Sequence, residues 1–132
     1  MERLILDAGA LIALERGHSD RLDVLPDDAD VAISAITASE LLVGVELADD
    51  EHRDPRRELI EGTIERVEII AFDLAVARHH CSLLAHARRA GQPRGAHDLQ
   101  IAATARATDR TVITTDTTAF EGLPGVNHRL LG

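Results

Sequence analysis

The sequence contains no lysine, tryptophan or tyrosine, and its only aromatic residues are Phe72 and Phe120. The absence of lysine excludes Schiff-base enzymes, P-loop nucleotide hydrolases and receiver domains, because each of these needs a lysine side chain. Two phenylalanines are too few for a surface that stacks nucleic-acid bases. The single cysteine, Cys81, excludes an internal disulfide and favours a reducing compartment.

Long hydrophobic runs are also missing. None approaches the roughly 18–20 residues that cross a bilayer, and the apolar run that ends at Asp7 is too short for a signal peptide. We therefore expect a cytoplasmic protein without a membrane anchor. The net charge is -9, with 23 acidic and 14 basic residues. Nucleic acid would be repelled overall, so binding it would require local arginine clusters or bound cations.

Short apolar strands alternate with helical segments along the 132 residues. The predicted strands are 4–6, 31–33, 67–70 and 111–114, with a last short strand near Val126. The predicted helices are 8–15, 38–48, 56–66, a long helix from Asp73 to Ala90, and one that begins at Asp98 and runs to residue 105. This alternation predicts an α/β fold of three layers, a mostly parallel sheet flanked by helices. The length and the lack of a linker predict a single domain over 1–132.

Local signals add finer expectations. Gly17 should end the first helix, and residues 49–55 should form an acidic turn. Ser34 or Thr37 offers a cap for the second helix, and Gly91 ends the long one. Cys81 shares the spacing of the apolar residues on that long helix, which predicts a small core residue.

Four acidic residues stand beside segments that should be buried. Asp7 and Asp116 follow predicted strands, where open α/β sheets bind ligands. Asp98 begins a buried helix, and Glu40 precedes an apolar helical run. Each has a structural alternative when taken alone: Asp7 and Asp98 as helix caps, Asp116 as a turn residue, Glu40 on an exposed face.

Together these four acids predict one site. Carboxylates that converge repel one another, and oxygen ligands of this kind select Mg²⁺, for which Mn²⁺ can substitute. Such a cluster suits phosphodiester hydrolysis with metal-activated water. The histidines lack zinc-ligand spacing, so a zinc site is disfavoured.

Arginine clusters are candidates for contact with RNA. Arg88, Arg89 and Arg94 precede Asp98, and Thr114 ends the strand before Asp116, so this group is the predicted RNA-binding region. A second cluster, residues 53–57, is as consistent with an ordinary charged surface. The apolar helix 38–48 is the predicted seam of a homodimer.

The chain resembles the PIN-domain family and, within it, the VapC-type toxins of toxin–antitoxin pairs. The resemblance covers almost the whole chain and rests on four segments. They are Leu4-Ile5-Leu6-Asp7-Ala8-Gly9-Ala10-Leu11-Ile12, Ser39-Glu40-Leu41 with its upstream strand, Asp98-Leu99-Gln100-Ile101-Ala102-Ala103, and Thr114-Thr115-Asp116 with Phe120-Glu121-Gly122-Leu123-Pro124-Gly125. The family's acids carry over to the same four positions, Asp7, Glu40, Asp98 and Asp116.

The resemblance implies a Mg²⁺-dependent endoribonuclease, usually a homodimer, that acts as a toxin. It also implies a small VapB-type antitoxin whose Arg-bearing C-terminal segment enters the acidic site. Three positions depart from the family pattern: many relatives carry a small polar residue at Gly9, asparagine at Asp116 and aspartate at Ala119. These departures leave a polar contact near the metal missing and the role of Asp116 open.

Two other function classes compete with a nuclease. A dehalogenase-type phosphatase needs an aspartate two residues after its nucleophile, where this chain has Gly9. A PIN scaffold that has lost catalysis and serves as a binding module is the stronger alternative. The intact acids count against it.

Overall fold

The computed structural model describes residues 1–16 and 25–131, so the predicted helix stop at Gly17 lies outside the described residues. In chain order the elements are β1 (Arg3–Leu6), α1 (Ala8–Glu15), β2 (Asp30–Ser34), α2 (Ala35–Glu46), α3 (Asp50–Arg66), β3 (Glu68–Ile70), α4 (Leu74–Ala90), α5 (Ala96–Ala107), β4 (Thr111–Thr114) and β5 (His128–Leu130). The predicted alternation of strands and helices is confirmed.

The strands form a five-stranded sheet in the order β3-β2-β1-β4-β5. Every pairing is parallel, and Leu4 of β1 is in register with Val31 of β2 and with Thr111 of β4. The chain moves outward from β1 through β2 to β3, and then returns to the other side of β1 with β4. The strand order therefore reverses between β1 and β4, where open α/β sheets form a crevice at their carboxyl ends.

Helices cover both faces of the sheet because side chains alternate along each strand. Leu4 and Leu6 of β1 pack with residues of α1, α2 and α3, whereas Ile5 packs with residues of α4 and α5. All three of these side chains are fully or almost fully buried. The sequence prediction of a three-layer α/β fold is confirmed.

Helix starts differ from the sequence prediction at three points. Helix α2 begins at Ala35 because the buried Ser34 caps it, accepting from the backbone N–H of Thr37. The predicted acidic turn at 49–55 is wrong: Asp49 caps α3, which runs through Pro55. Helix α5 starts at Ala96 after Gly95, so Asp98 lies inside its first turn and is not its cap.

Helix α4 has the predicted ends, with Asp73 capping its start and Gly91 in the left-handed conformation at its end. Its buried residues are Val76, Leu83 and Ala87, and Cys81 is exposed. The prediction of Cys81 as a core residue is therefore wrong, because the buried stripe passes beside it. The last strand lies at β5, two residues beyond Val126. Among the described helices, none is long and apolar enough to cross a bilayer.

Candidate functional site

Asp7 lies at the carboxyl end of β1 and begins α1. Its Oδ1 accepts from the backbone N–H of Ala10 at 2.8 Å, so the carboxylate caps the helix. Burial raises the pKa of Asp7 above its usual range, although hydrogen bonds from Thr114 and Ala10 act in the opposite direction. The cap and the site are thus compatible roles for one carboxylate, since capping occupies only one of its oxygens.

Thr114 connects Asp7 to the end of β4. Its buried hydroxyl donates to Asp7 Oδ2 and accepts from the backbone N–H of Asp116 at 3.0 Å. The prediction of Thr114 as an RNA contact is wrong, because the residue has no exposed surface. Its hydroxyl instead fixes two of the four acidic positions relative to each other.

Asp116 lies in the exposed turn after β4. Its Oδ1 accepts from the backbone N–H groups of Thr118 and Ala119, at 2.8 and 3.0 Å. These hydrogen bonds stabilise the ionised form and hold the pKa of Asp116 below its usual range. One carboxylate oxygen is therefore committed to the turn that follows.

Asp98 extends from the first turn of α5 towards the same crevice. Burial raises the pKa of Asp98, and the negative charges of Asp116, Asp7 and Glu40 raise it further. His97 acts in the opposite direction. Asp98 is thus within electrostatic range of the other three predicted acids.

Glu40 approaches the crevice from α2. Its side chain is one-third exposed, and its Oε1 lies 3.6 Å from His97 Nδ1. Glu40 is therefore partly buried and lies beside His97. Glu40 also borders an apolar groove between α1, α2 and α3.

The donor set fits Mg²⁺ or Mn²⁺ by its chemistry, because it consists of carboxylates whose mutual repulsion a divalent cation would relieve. Burial raises the pKa of both Asp7 and Asp98, and the negative charges of neighbouring acids raise each of them further. Within the described ranges, however, no three His, Cys, Asp or Glu side chains are close enough to hold one ion as they stand. A bound ion would have to draw the carboxylates closer together.

Gly9 explains one departure noted in the sequence. A Cβ at this position would lie 2.8 Å from Thr115 Oγ1 and 3.7 Å from Asp7 Oδ1. The Thr115 hydroxyl thus occupies the space that a side chain at residue 9 would need. A small polar side chain at residue 9 would therefore have to displace the Thr115 hydroxyl, which lies just after β4.

A polar cleft of about 590 Å³ opens beside these acids. The α4–α5 connection forms one wall, and the loop after β4 forms the other. Asp98 and Asp116 line the cleft from opposite sides. It is open and polar, as a site for a charged polymer should be.

The predicted arginine cluster separates into two kinds of residue. Arg88 and Arg89 lie in the last turn of α4, and Arg88 lines a second cavity beside the α4–α5 connection. Arg94, in contrast, donates to three backbone carbonyls of the loop after β4. In the other cluster, Arg53 pairs with Asp50, and Arg57 with Glu46 and Asp54, as ordinary surface charges do.

An apolar groove that no sequence pattern had indicated meets the site at Glu40. It has a volume of about 260 Å³, and its floor includes Leu11, Leu41 and Ile60. Gly44 lines it, and a Cβ there would have no neighbour within 4 Å among the described residues. A glycine inside an apolar helix was the available signal, since glycine destabilises a helix unless something must approach closely.

The fold and the acidic crevice define a PIN-type α/β protein, and comparison with known proteins agrees. The PIN domain family model matches residues 4–125. VapC ribonuclease Y4jK of Sinorhizobium fredii is 31% identical, over 94% of this chain and 96% of its own length. The tRNA(fMet)-specific endonuclease VapC of Shigella flexneri is 34% identical, over 73% of this chain and 71% of its own.

A solved structure supports the same assignment. The DNA-bound VapBC structure from Salmonella typhimurium superposes with a TM-score of 0.86 at 26% identity, and the match covers 100% of both chains. The chain belongs to the PIN-domain family and, within it, to the VapC-type toxins.

Proposed function

We propose that this protein is a metal-dependent endoribonuclease, the toxin of a toxin–antitoxin pair. The observation that supports the proposal is the position of Asp7 and Asp116 just after β1 and β4, with Asp98 lining the same polar cleft as Asp116 and Glu40 3.6 Å from His97. Two relatives that cover most of this chain are described as ribonucleases or endonucleases. The polar cleft beside the acids suits a nucleic-acid strand better than a small apolar substrate.

The four carboxylates would hold Mg²⁺, with Mn²⁺ as a substitute. When bound, such an ion lowers the pKa of a coordinated water and offsets the charge of the scissile phosphate. The protein's own part is orientation. Thr114 holds Asp7 through Oδ2, and the N–H groups of Thr118 and Ala119 hold Asp116 through Oδ1.

The direct test is RNA cleavage with and without EDTA. We expect cleavage to vanish in the chelator and to return on adding Mg²⁺ or Mn²⁺ but not to require Zn²⁺. Full activity in EDTA would refute metal dependence. Calorimetric titration of the metal-free protein with Mn²⁺ distinguishes the binding-module alternative, in which the acids would bind no ion.

RNA would contact Arg88 and Arg89, in the last turn of α4 and just before the α4–α5 connection that forms one wall of the cleft. Each phosphate contact releases counterions, so affinity should fall with salt concentration. The double variant Arg88→Gln/Arg89→Gln should bind RNA more weakly. The slope of the logarithm of its affinity against the logarithm of salt concentration should be shallower by about one to two. Arg78→Gln, which removes an exposed arginine elsewhere on α4, is the matched control.

The antitoxin would place an arginine near Asp7 and Asp98 and an apolar segment in the groove beside Glu40. Arginine suits carboxylates because its guanidinium donates two parallel hydrogen bonds. The groove is open at Gly44, so Gly44→Leu should fill it. We expect this variant to bind the partner at least about tenfold more weakly, from lost burial and a steric clash. The control is Gly62→Leu, which alters a helical glycine outside the groove.

We also propose a homodimer whose interface contains the exposed apolar residues in α2 and directly after it. Val43 and Leu47 are 49% and 81% exposed. Sedimentation should give a dimer at micromolar concentration. A Val43→Ser/Leu47→Ser variant should sediment as a monomer. If it remains a dimer, the interface does not lie at these residues.

A further inference from the structure

Arg94 holds together the two walls of the polar cleft. It lies in the connection between α4 and α5, four residues before Asp98. Its NH1 donates to the carbonyl oxygens of Thr118 and Ala119 at 3.2 and 3.1 Å, and its NH2 donates to the carbonyl oxygen of Glu121. All three carbonyls belong to the loop that begins with Asp116.

The same loop is held from its other side by Asp116. The N–H groups of Thr118 and Ala119 donate to Asp116 Oδ1, while the carbonyls of these two residues accept from Arg94. The peptide between Thr118 and Ala119 is therefore bound at both polar ends, its carbonyl by Arg94 and its N–H by Asp116. The orientation of the Asp116 carboxylate depends on this peptide, and the peptide depends on Arg94.

The guanidinium shape matters for this contact. A planar fork can donate to carbonyls that are several residues apart in a turn, whereas a lysine ammonium is a single point of donation. The hydrogen bonds of Arg94 go to backbone carbonyls of this loop rather than to the carboxylate of Asp98 or Asp116. Its effect on these acids is transmitted through the loop.

We propose that Arg94 is a positioning residue that orients Asp116 relative to Asp98 by holding the loop 116–121. The proposal rests on the proposed nuclease function for its catalytic consequence. It replaces the sequence-based prediction of Arg94 as an RNA contact. Its structural part, the effect on the loop, can be measured without RNA or metal.

The first measurement is hydrogen exchange on the metal-free protein. In Arg94→Gln we expect the amides of Thr118 and Ala119 to exchange at least about tenfold faster, because charge-assisted hydrogen bonds to the loop are lost. The amide of Val126, which donates to the Leu123 carbonyl in the next turn, should keep its rate. Arg78→Gln is the control for loss of an arginine charge.

The second measurement separates kcat from KM for RNA cleavage. Arg94→Gln should lower kcat about tenfold and change KM by less than about threefold, because a misplaced Asp116 affects the reaction more than binding. Arg94→Lys should recover only part of kcat although it retains the charge. A phosphate contact would behave differently: Arg94→Gln would raise KM and reduce the salt dependence, and Arg94→Lys would restore both.

Three outcomes would overturn the proposal: unchanged exchange at Thr118 and Ala119, equal acceleration across the sheet and α5, or a change confined to KM. If Arg94→Gln does not fold, Arg94→Lys carries the same exchange test, and a wild-type rate there also refutes the proposal. Failure of the nuclease proposal is distinguishable, because the wild-type chain would then not cleave RNA while the exchange difference would persist.

Discussion

The Thr114 hydroxyl donates to Asp7 Oδ2 and thereby joins the end of β4 to the end of β1. The Thr114 hydroxyl oxygen also accepts from the backbone N–H of Asp116, so one buried side chain links two acids from different parts of the sequence. Thr114 ends β4, which pairs with β1 where the strand order reverses, so its hydroxyl fixes the positions of the two acids that follow these strands.

Thr114→Val should therefore damage both stability and cleavage. The valine keeps the shape but leaves buried polar groups without a partner, at a cost of about 1–3 kcal/mol in the free energy of unfolding. We expect kcat to fall as Asp7 loses its orientation. Thr114→Ser retains the hydroxyl and should stay close to wild type in a urea titration and a cleavage assay. A Thr114→Ser variant as damaged as Thr114→Val would contradict a specific role of the hydroxyl.

Asp7→Asn should stabilise the metal-free protein and abolish cleavage. Asparagine keeps an oxygen for the α1 cap but removes a half-buried charge that Asp116 repels. At an effective dielectric of ~20 the gain is roughly 1 kcal/mol, or about 2–4 °C in Tm. Asp7→Ala, which also removes the cap, should lose that gain.

The pH dependence of this gain has a definite sign. The pKa of Asp7 is raised in the folded state, so the folded protein binds the proton more tightly and wild type loses stability as pH rises beyond the usual aspartate range. The advantage of Asp7→Asn should therefore be larger at pH 7 than at pH 3.5. Thermal melts at both values check it, and a larger advantage at the lower pH would contradict the assignment.

Asp98→Asn should abolish cleavage with little change in Tm. Its removal relieves repulsion from Asp7, Glu40 and Asp116. It also removes a negative charge from the first turn of α5, where the helix dipole favours one by about 0.3–1 kcal/mol. These opposing contributions should leave the melting temperature within about 2 °C of wild type. A large loss of stability would mean that the structural role of Asp98 dominates.

Asp116→Asn should be the mildest of the acidic substitutions. The amide oxygen can still accept from the N–H groups of Thr118 and Ala119, and it can still act as a ligand. We expect reduced but measurable cleavage. Asp116→Ala removes both functions and should lower activity much further, so similar rates for the two variants would exclude Asp116 from the metal site.

Arg110 stabilises the end of the sheet opposite the site. Its side chain is 2% exposed and pairs with Asp30 and Glu68, and its NH1 also donates to the backbone carbonyl of Leu4. Arg110→Met should lower the free energy of unfolding by about 2–4 kcal/mol and leave kcat of the folded protein unchanged. Arg3→Gln, which removes an exposed partner of the same Asp30, should cost less than about 1 kcal/mol.

The pairing of Arg110 with Asp30 should make the stability of the protein sensitive to acid. Hydrogen bonds from Arg110 hold the pKa of Asp30 below the usual range, so this contribution to stability is present at neutral pH and is lost as pH falls through the usual range towards the lowered pKa. The difference between wild type and Arg110→Met should shrink in urea titrations at about pH 3. A constant difference would mean that packing, rather than the ion pair, accounts for it.

The sequence alone was sufficient to predict the three-layer architecture with its parallel sheet. Strands such as 4–6 and 111–114 are short apolar runs between helical segments, and this local pattern implies a covered parallel sheet whatever the order of the strands. The sequence also indicated the four acids as candidate site residues, because a carboxylate beside a buried segment is costly unless it has a partner. The caps at Asp73 and Gly91 were predictable for the same reason, since capping depends on neighbouring residues.

Only the tertiary structure decided which polar side chains face the site and which support it. Thr114 and Arg94 both looked like RNA contacts in the sequence, yet one is buried beneath two acids and the other binds the carbonyls of a loop 24 to 27 residues away. Glu40 and Asp98 come from helices on opposite faces of the sheet and meet only where its order reverses. Local patterns set the periodicity and the caps, but a hydrogen-bond partner distant in sequence is fixed only when the chain has packed.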